Sequence, residues 1–203
     1  MTWLLLPNPE LDKVVLDTNV LFQLALRDVL LKAARMRFFV PYWSQDILDE
    51  LVRTLSQYRE SKRRGAYQIM SHEEAVALCA ELNARFPDAM VHEYKPFILQ
   101  THNEMDDRHV AAVAIKCDAS IIVTSNAKDF VGIPKGITAV IPDDFLCTLF
   151  DRRSKDFLTI LLNQLGAEHK PNTLEGLLTR LSFGKKPNFP GKVLEFLANN
   201  SHP

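Results

Sequence analysis

The sequence predicts an α/β protein, with a mostly parallel sheet covered by helices on both faces and a helical extension at its C-terminal end. Three observations carry this reading. Short apolar runs of strand character alternate with stretches of helical periodicity, and no tight hairpin signal joins two neighbouring runs. The runs "VVL" and "IIV" are continuously apolar, as covered parallel strands are. From about Pro142 the composition changes, and only helical patterns follow.

The elements follow in order. "KVVLDTNVL", residues 13–21, opens as a covered strand and ends on Asp17. "VLFQLALRDVLLKAARM" then recurs apolar at helical spacing, and "RFFVPYW" gives a second short strand that stops near Pro41. Ser44 is placed to cap a helix running to about Arg59. Ser71 and Glu74 form a capping box for another helix, with Val76, Leu78, Cys79 and Leu82 as its apolar positions. The basic stretch "YRESKRRGAY" connects the two. "AMVHEY" is a candidate strand, "DDRHVAAVAIKC" an alanine-rich helix, "SIIVTS" a strong strand and "ITAVIP" a last short one.

This divides the chain into an α/β domain, residues 1–142, and a helical extension, residues 143–203. The extension's stretches "DDFLCTLFDRRSKDFLTILLNQLGAEH", "PNTLEGLLTRLSF" and "GKKPNFPGKVLEFLANN" carry apolar faces too large to leave in water. They are expected to pack on the first domain or on a partner, burying Leu158, Leu161, Leu162, Leu177, Leu178 and Leu181.

Composition narrows the functional classes. With 47% apolar and 24% charged residues, the chain folds rather than staying disordered. Its formal charge of −1 gives no global basic field, so a nucleic acid would be held by a local patch or through metal ions. Cys79, Cys117 and Cys147 lie far apart without C-x-x-C or Cys/His spacing, which fits free thiols in a reducing compartment. "MTWLLLPNPELDK" lacks a basic n-region and breaks at proline, so neither a signal peptide nor a membrane span is expected, and the cytoplasm is the expected location. Arg59, Lys62, Arg63 and Arg64 form a charge run, which is more often solvated surface than a phosphate site.

Asp17 poses the chemical question. A carboxylate at the end of a covered strand costs free energy unless it is paired, hydrogen-bonded or bound to a cation. Glu50, in "SQDILDELVRTL", falls at the margin of the apolar face of its helix, whereas Asp46 and Asp49 point away. Alone it would read as a solvated glutamate. Asp106 and Asp107 open the alanine-rich helix, where carboxylates interact well with free N–H groups. Helical phase makes Asp106 the better cap and Asp107 the better ligand, and it turns His109 off the face of the acid. His102 falls in a loop. A phosphatase using Asp17 as nucleophile, of the haloacid dehalogenase type, would want a second aspartate two residues later, and Asn19 stands there.

"VVLDTNVL", "SQDILDELVRTL", "DDRHVAAVA" and "IIVTSNAKDF" stand in the order and spacing of the acidic motifs of PIN-domain nucleases. The chain resembles their VapC-type toxin branch, over about residues 13–145. The resemblance implies a PIN-like three-layer sandwich, and acids that bind Mg²⁺ or Mn²⁺ for the hydrolysis of RNA. It points to Asp17, Glu50 and Asp107 as metal ligands, direct or through water, with Asn19, Thr124, Ser125 and Asn126 arranging the site. Where many relatives carry a further aspartate this chain has Asn126, and the VapC-like "T-x-N-x-x-D-F" pattern points to Asp129 as the fourth carboxylate. The alternative for Asp129 is a turn cap. An RNA substrate, a cognate antitoxin and a second copy of the chain are the partners implied, and no membrane. A PIN fold that holds RNA or protein without cutting is the competing function.

Overall fold

The computed structural model describes residues 11–57, 59–61, 65–67, 69–166, 171–184 and 186–200, with the backbone alone described at 59–61 and 65–67. Val14, Val15 and Leu16 favour extended backbone and are fully buried, and Lys13–Leu16 forms strand β1. A one-turn helix α1 (Thr18–Leu21) and helix α2 (Leu24–Arg35) lead to β2 (Val40–Tyr42) and then α3 (Gln45–Ser56). A small hairpin, β3 (Arg59–Ser61) and β4 (Gly65–Tyr67), precedes α4 (His72–Arg85). Helix α5 (Arg108–Lys116), β5 (Ile121–Val123) and β6 (Thr138–Val140) complete the α/β part, and α6 (Pro142–Arg152), α7 (Ser154–Leu162), α8 (Leu174–Arg180) and α9 (Phe189–Asn200) follow.

The sheet is parallel throughout, in the order β2-β1-β5-β6. From β1 the chain winds outward to β2, then returns past β1 to β5. The direction of winding reverses between β1 and β5. Right-handed crossovers therefore place α2 on one face and α5, which packs on β1 and β5, on the other. At such a reversal the loops leaving the two strands diverge and open a crevice beyond their carboxyl ends.

Four local expectations need correction. A hairpin does occur, but β3 and β4 pair only with each other, outside the main sheet, and Lys62, Arg63 and Arg64 lie outside the described residues. Pro41 sits inside β2, because Val40 supplies the N–H toward β1 (2.9 Å to the Asp12 carbonyl) and the proline nitrogen faces the outer edge. "AMVHEY" forms no strand. It contributes one bridge, Met90 to Trp43, on the edge where Pro41 has no donor to extend the pairing. In α4 the buried stripe is Ala75, Cys79 and Leu82, while Val76 is 46% exposed. Ala75 gives little signal in the sequence, because a single methyl carries little apolar weight.

Ser44 and the Ser71–Glu74 box cap α3 and α4 as their sequences predict. Helix α3 stops at Ser56, three residues short of its expected end.

Helices α6–α9 share the core of the α/β part. Phe157 meets Phe38 edge to face at 5.4 Å, Phe145 meets Phe39 at 5.2 Å, and the Arg153 guanidinium lies 3.8 Å from the centre of the Phe38 ring. Phe150 is the hub, with its ring in T-shaped contact with Phe157, Phe189 and Phe196. The buried carboxylate of Asp143 accepts the N–H groups of Asn188 and Phe189 at 2.8 and 3.0 Å and so ties α6 to the start of α9. Leu161, Leu177, Leu178 and Leu181 are buried, Leu158 is half-buried, and Leu162 is 48% exposed. Leu162 ends α7, one residue past the inward-facing Leu161, so the helix turns it outward.

Phe150→Ala should lower unfolding free energy in a urea titration by about 3–5 kcal/mol, since three aromatic rings lose their common contact. Leu162→Ala should stay within about 0.5 kcal/mol of the parent. Equal losses would mean that the extension does not share the core.

Candidate active site

Strand β1 ends by delivering Asp17 to the crevice. The Asp17 N–H bonds the Val123 carbonyl at 3.1 Å, so β1 and β5 release their next residues side by side. The Asp17 side chain is 3% exposed and densely held. Oδ1 accepts the Thr18 N–H at 2.7 Å, and Oδ2 accepts Nδ2 of Asn19 at 2.5 Å and Oγ1 of Thr124 at 2.7 Å. Asn19 also spans the crevice, because its Oδ1 accepts the Ser125 N–H at 2.8 Å. Asn126 donates its backbone N–H to Oγ1 of Thr124 at 3.1 Å. Ser125 and Asn126 thus enter this network through the main chain.

Thr18, which the sequence reading passed over, links the first acid to the second. Its hydroxyl lies 2.9 Å from Oε2 of Glu50 and 3.2 Å from the Ile47 carbonyl, fixing one carboxylate oxygen of α3. The signal was its place between Asp17 and Asn19 in "DTN".

His109 also departs from expectation. It lies beside the acids, with Nε2 3.9 Å from Oε2 of Glu50. Its Nδ1 is 2.8 Å from the Asp106 carbonyl, which can only accept, so Nδ1 carries the proton. The phase argument failed because Met105–Asp107 is a 3₁₀ turn, and 100° per residue does not hold across the junction into α5. For the same reason Asp106 is exposed and forms no cap, and Asp107, at the N-cap of α5, makes no side-chain capping bond.

Asp129 lies in the 3₁₀ turn Ala127–Phe130 after β5. Its main chain is fixed at both ends, by its own N–H to the Asn126 carbonyl (2.8 Å) and by the Glu104 N–H to its carbonyl (3.0 Å). Gly132, at φ +96°, lets this loop lie against the neighbouring one, since a Cβ there would meet the His102 carbonyl oxygen at 3.0 Å.

Electrostatics joins the acids into one site. Asp17 is harder to ionise than a free aspartate, chiefly because it is buried; the Thr124 and Thr18 hydrogen bonds offset this in part, and Glu50 adds repulsion. Asp107 is pushed up to about 6, first by burial and then by the charges of Asp17 and Asp129, with Glu50 adding to the effect and His109 opposing it. The structure therefore brings Asp17, Glu50 and Asp129 within electrostatic reach of Asp107, and Glu50 within reach of Asp17. Among the described residues, no group of three His, Cys, Asp or Glu side chains closes into a metal-binding cluster. The donor set still fits a hard divalent ion: it is all carboxylate oxygen and self-repelling, and Mg²⁺ characteristically takes one or two carboxylates and keeps several waters.

A parallel sheet with self-repelling carboxylates at its point of reversal defines the class as a doubly wound α/β domain with an acidic site. More narrowly, residues 13–128, over half of the chain, match the PIN domain model, and the chain belongs to the PIN-domain family. A relative from Mycobacterium tuberculosis (strain ATCC 25618 / H37Rv), named "Putative ribonuclease VapC50", is 32% identical over 112 residues, covering 53% of this chain and 66% of the relative. The match thus spans just under two thirds of that relative's length. Among the described residues no helix is long and apolar enough to cross a membrane.

The Asp107 shift has a sign that can be measured. An acid whose folded pKa lies above its unfolded value makes the fold less stable as pH rises through the interval, here from 3.8 to about 6. In EDTA, Asp107→Asn should therefore flatten the fall in melting temperature across that window and melt higher than the parent at pH 7. An unchanged profile would mean that Asp107 is not crowded by the other acids.

Proposed function

We propose that the protein is a divalent-metal-dependent endoribonuclease, using Mg²⁺ or Mn²⁺, and the toxin of a toxin–antitoxin pair. The observation that carries this is the gathering of Asp17, Glu50 and Asp129 around Asp107, whose carboxyl is pushed up to about 6 by burial and then by the charges of these neighbours. Like charges are brought together at a cost, and a hard cation relieves it. When bound, such an ion neutralises phosphate charge and makes a coordinated water more acidic. The chain's own contribution is position: Asn19, Thr124 and Thr18 fix Asp17, Thr18 also fixes Glu50, and the Ser125 and Asn126 N–H groups hold Asn19 and Thr124.

Asp17, Glu50, Asp107 and Asp129 are the proposed ligands, direct or through water. Among the described residues no hydrogen bond to the Asp129 carboxylate supports a turn-cap role. The ribonuclease name of the relative and the VapC-like order of the motifs support RNA as substrate and an antitoxin as partner. The extension, residues 143–203, is read as a unit that buttresses α2 behind the site. The competing reading, a PIN fold that binds without cutting, has against it the presence of Asp17, Glu50 and Asp107 together with the groups that position Asp17 and Glu50.

Purified protein should degrade total RNA with Mg²⁺ or Mn²⁺ and stop with EDTA or Asp17→Asn; cleavage that persists in both controls overturns the metal mechanism. Asp129→Asn should move the Mn²⁺ dependence of cleavage to higher concentration with little change in melting temperature. A fall in melting temperature of the size a lost cap gives, about 0.5–2 kcal/mol in stability, with an unmoved titration, would make Asp129 a cap.

A further inference from the structure

Arg108 follows Glu104, Asp106 and Asp107 directly in sequence, yet among the described residues no carboxylate pairs with it. Its side chain is not loose. Nε donates to the Asn103 carbonyl at 3.1 Å, which sets the plane of a half-buried guanidinium. Arg108 lines a groove of about 480 Å³ together with Lys128, Glu104 and Asp129, so the groove reaches the acidic site at Asp129. Lys128 is exposed and likewise has no ion pair among the described residues. Met105 and Val131, 71% and 77% exposed, also line it and offer apolar surface for the face of a base.

The acids would repel a phosphodiester, and a chain of net charge −1 supplies no general attraction to overcome that repulsion. An anchored guanidinium presents a flat fork of N–H donors suited to phosphate oxygens. We infer that Arg108, assisted by Lys128, binds a backbone phosphate of the RNA strand next to the one at the acids, and so sets which bond reaches them. This rests on the ribonuclease reading above. Arg108 is a positioning residue in this scheme, acting on the strand and not on the reacting atoms.

The test is binding of a fluorescein-labelled single-stranded oligouridylate to the full chain in EDTA, followed by fluorescence anisotropy over a series of salt concentrations. Arg108→Ala should weaken binding about tenfold, as the loss of a charged hydrogen bond does. It should also reduce the slope of log affinity against log salt by about 0.7, the share of one phosphate contact on a single strand. Arg108→Lys should recover the slope and only part of the affinity. Mn²⁺ affinity, read by calorimetry, should be unchanged in both variants. Wild-type affinity and slope in Arg108→Ala would overturn the assignment, and so would a parallel loss of Mn²⁺ binding, which would place Arg108 among the supports of the acids. Failure of the parent chain to bind the RNA in EDTA would overturn this inference, which needs no metal, while the ribonuclease reading stands or falls by the metal-dependent cleavage assay.

Discussion

The carboxylate of Asp17 is the constraint on which the rest of the site depends. Buried at the end of β1, it would be costly without partners, and its oxygens take three hydrogen bonds from Thr18, Asn19 and Thr124. Two partners follow it directly in sequence and the third leaves β5. The same bonds therefore hold the two strand ends together where the sheet reverses direction. A loose Asp17 would release the crevice as well as the charge.

The other acids are placed by different kinds of structure. Glu50 rides on a capped helix and is fixed by a hydroxyl from α1; Asp107 sits at a 3₁₀-to-α junction; Asp129 stands on a short turn pinned by main-chain bonds. None of these elements is long, but each abuts the apolar core through Leu51, Val110 or Phe130. Rigid backbone lets the fold hold like charges close without relaxing them apart. The metal-free fold bears that repulsion as reduced stability.

Much of this was legible in the sequence because the signals were local. Continuous apolar runs marked β1 and β5, the capping residues marked α3 and α4, and the order of acids marked the site. Features that depend on partners remote in sequence were not. Pro41 could enter β2 only because that strand lies at an edge, and Thr18 became important only when Glu50 arrived from another helix. His109 faces the acids against its helical phase, because that phase does not carry across a 3₁₀ turn that nothing in "NEMDDRH" announces. The hairpin β3–β4 was missed because its strands are short and join no larger sheet.

The packing of the extension also bears on self-association. Helix α2 presents its outer face to α7 and α8, and Phe38, at the end of that unit, is covered by Phe157 and Arg153. That surface is occupied by an intramolecular contact, so a symmetric pairing of two chains through it would require the extension to leave first. Any dimer of the intact fold must find its twofold axis elsewhere on the molecule.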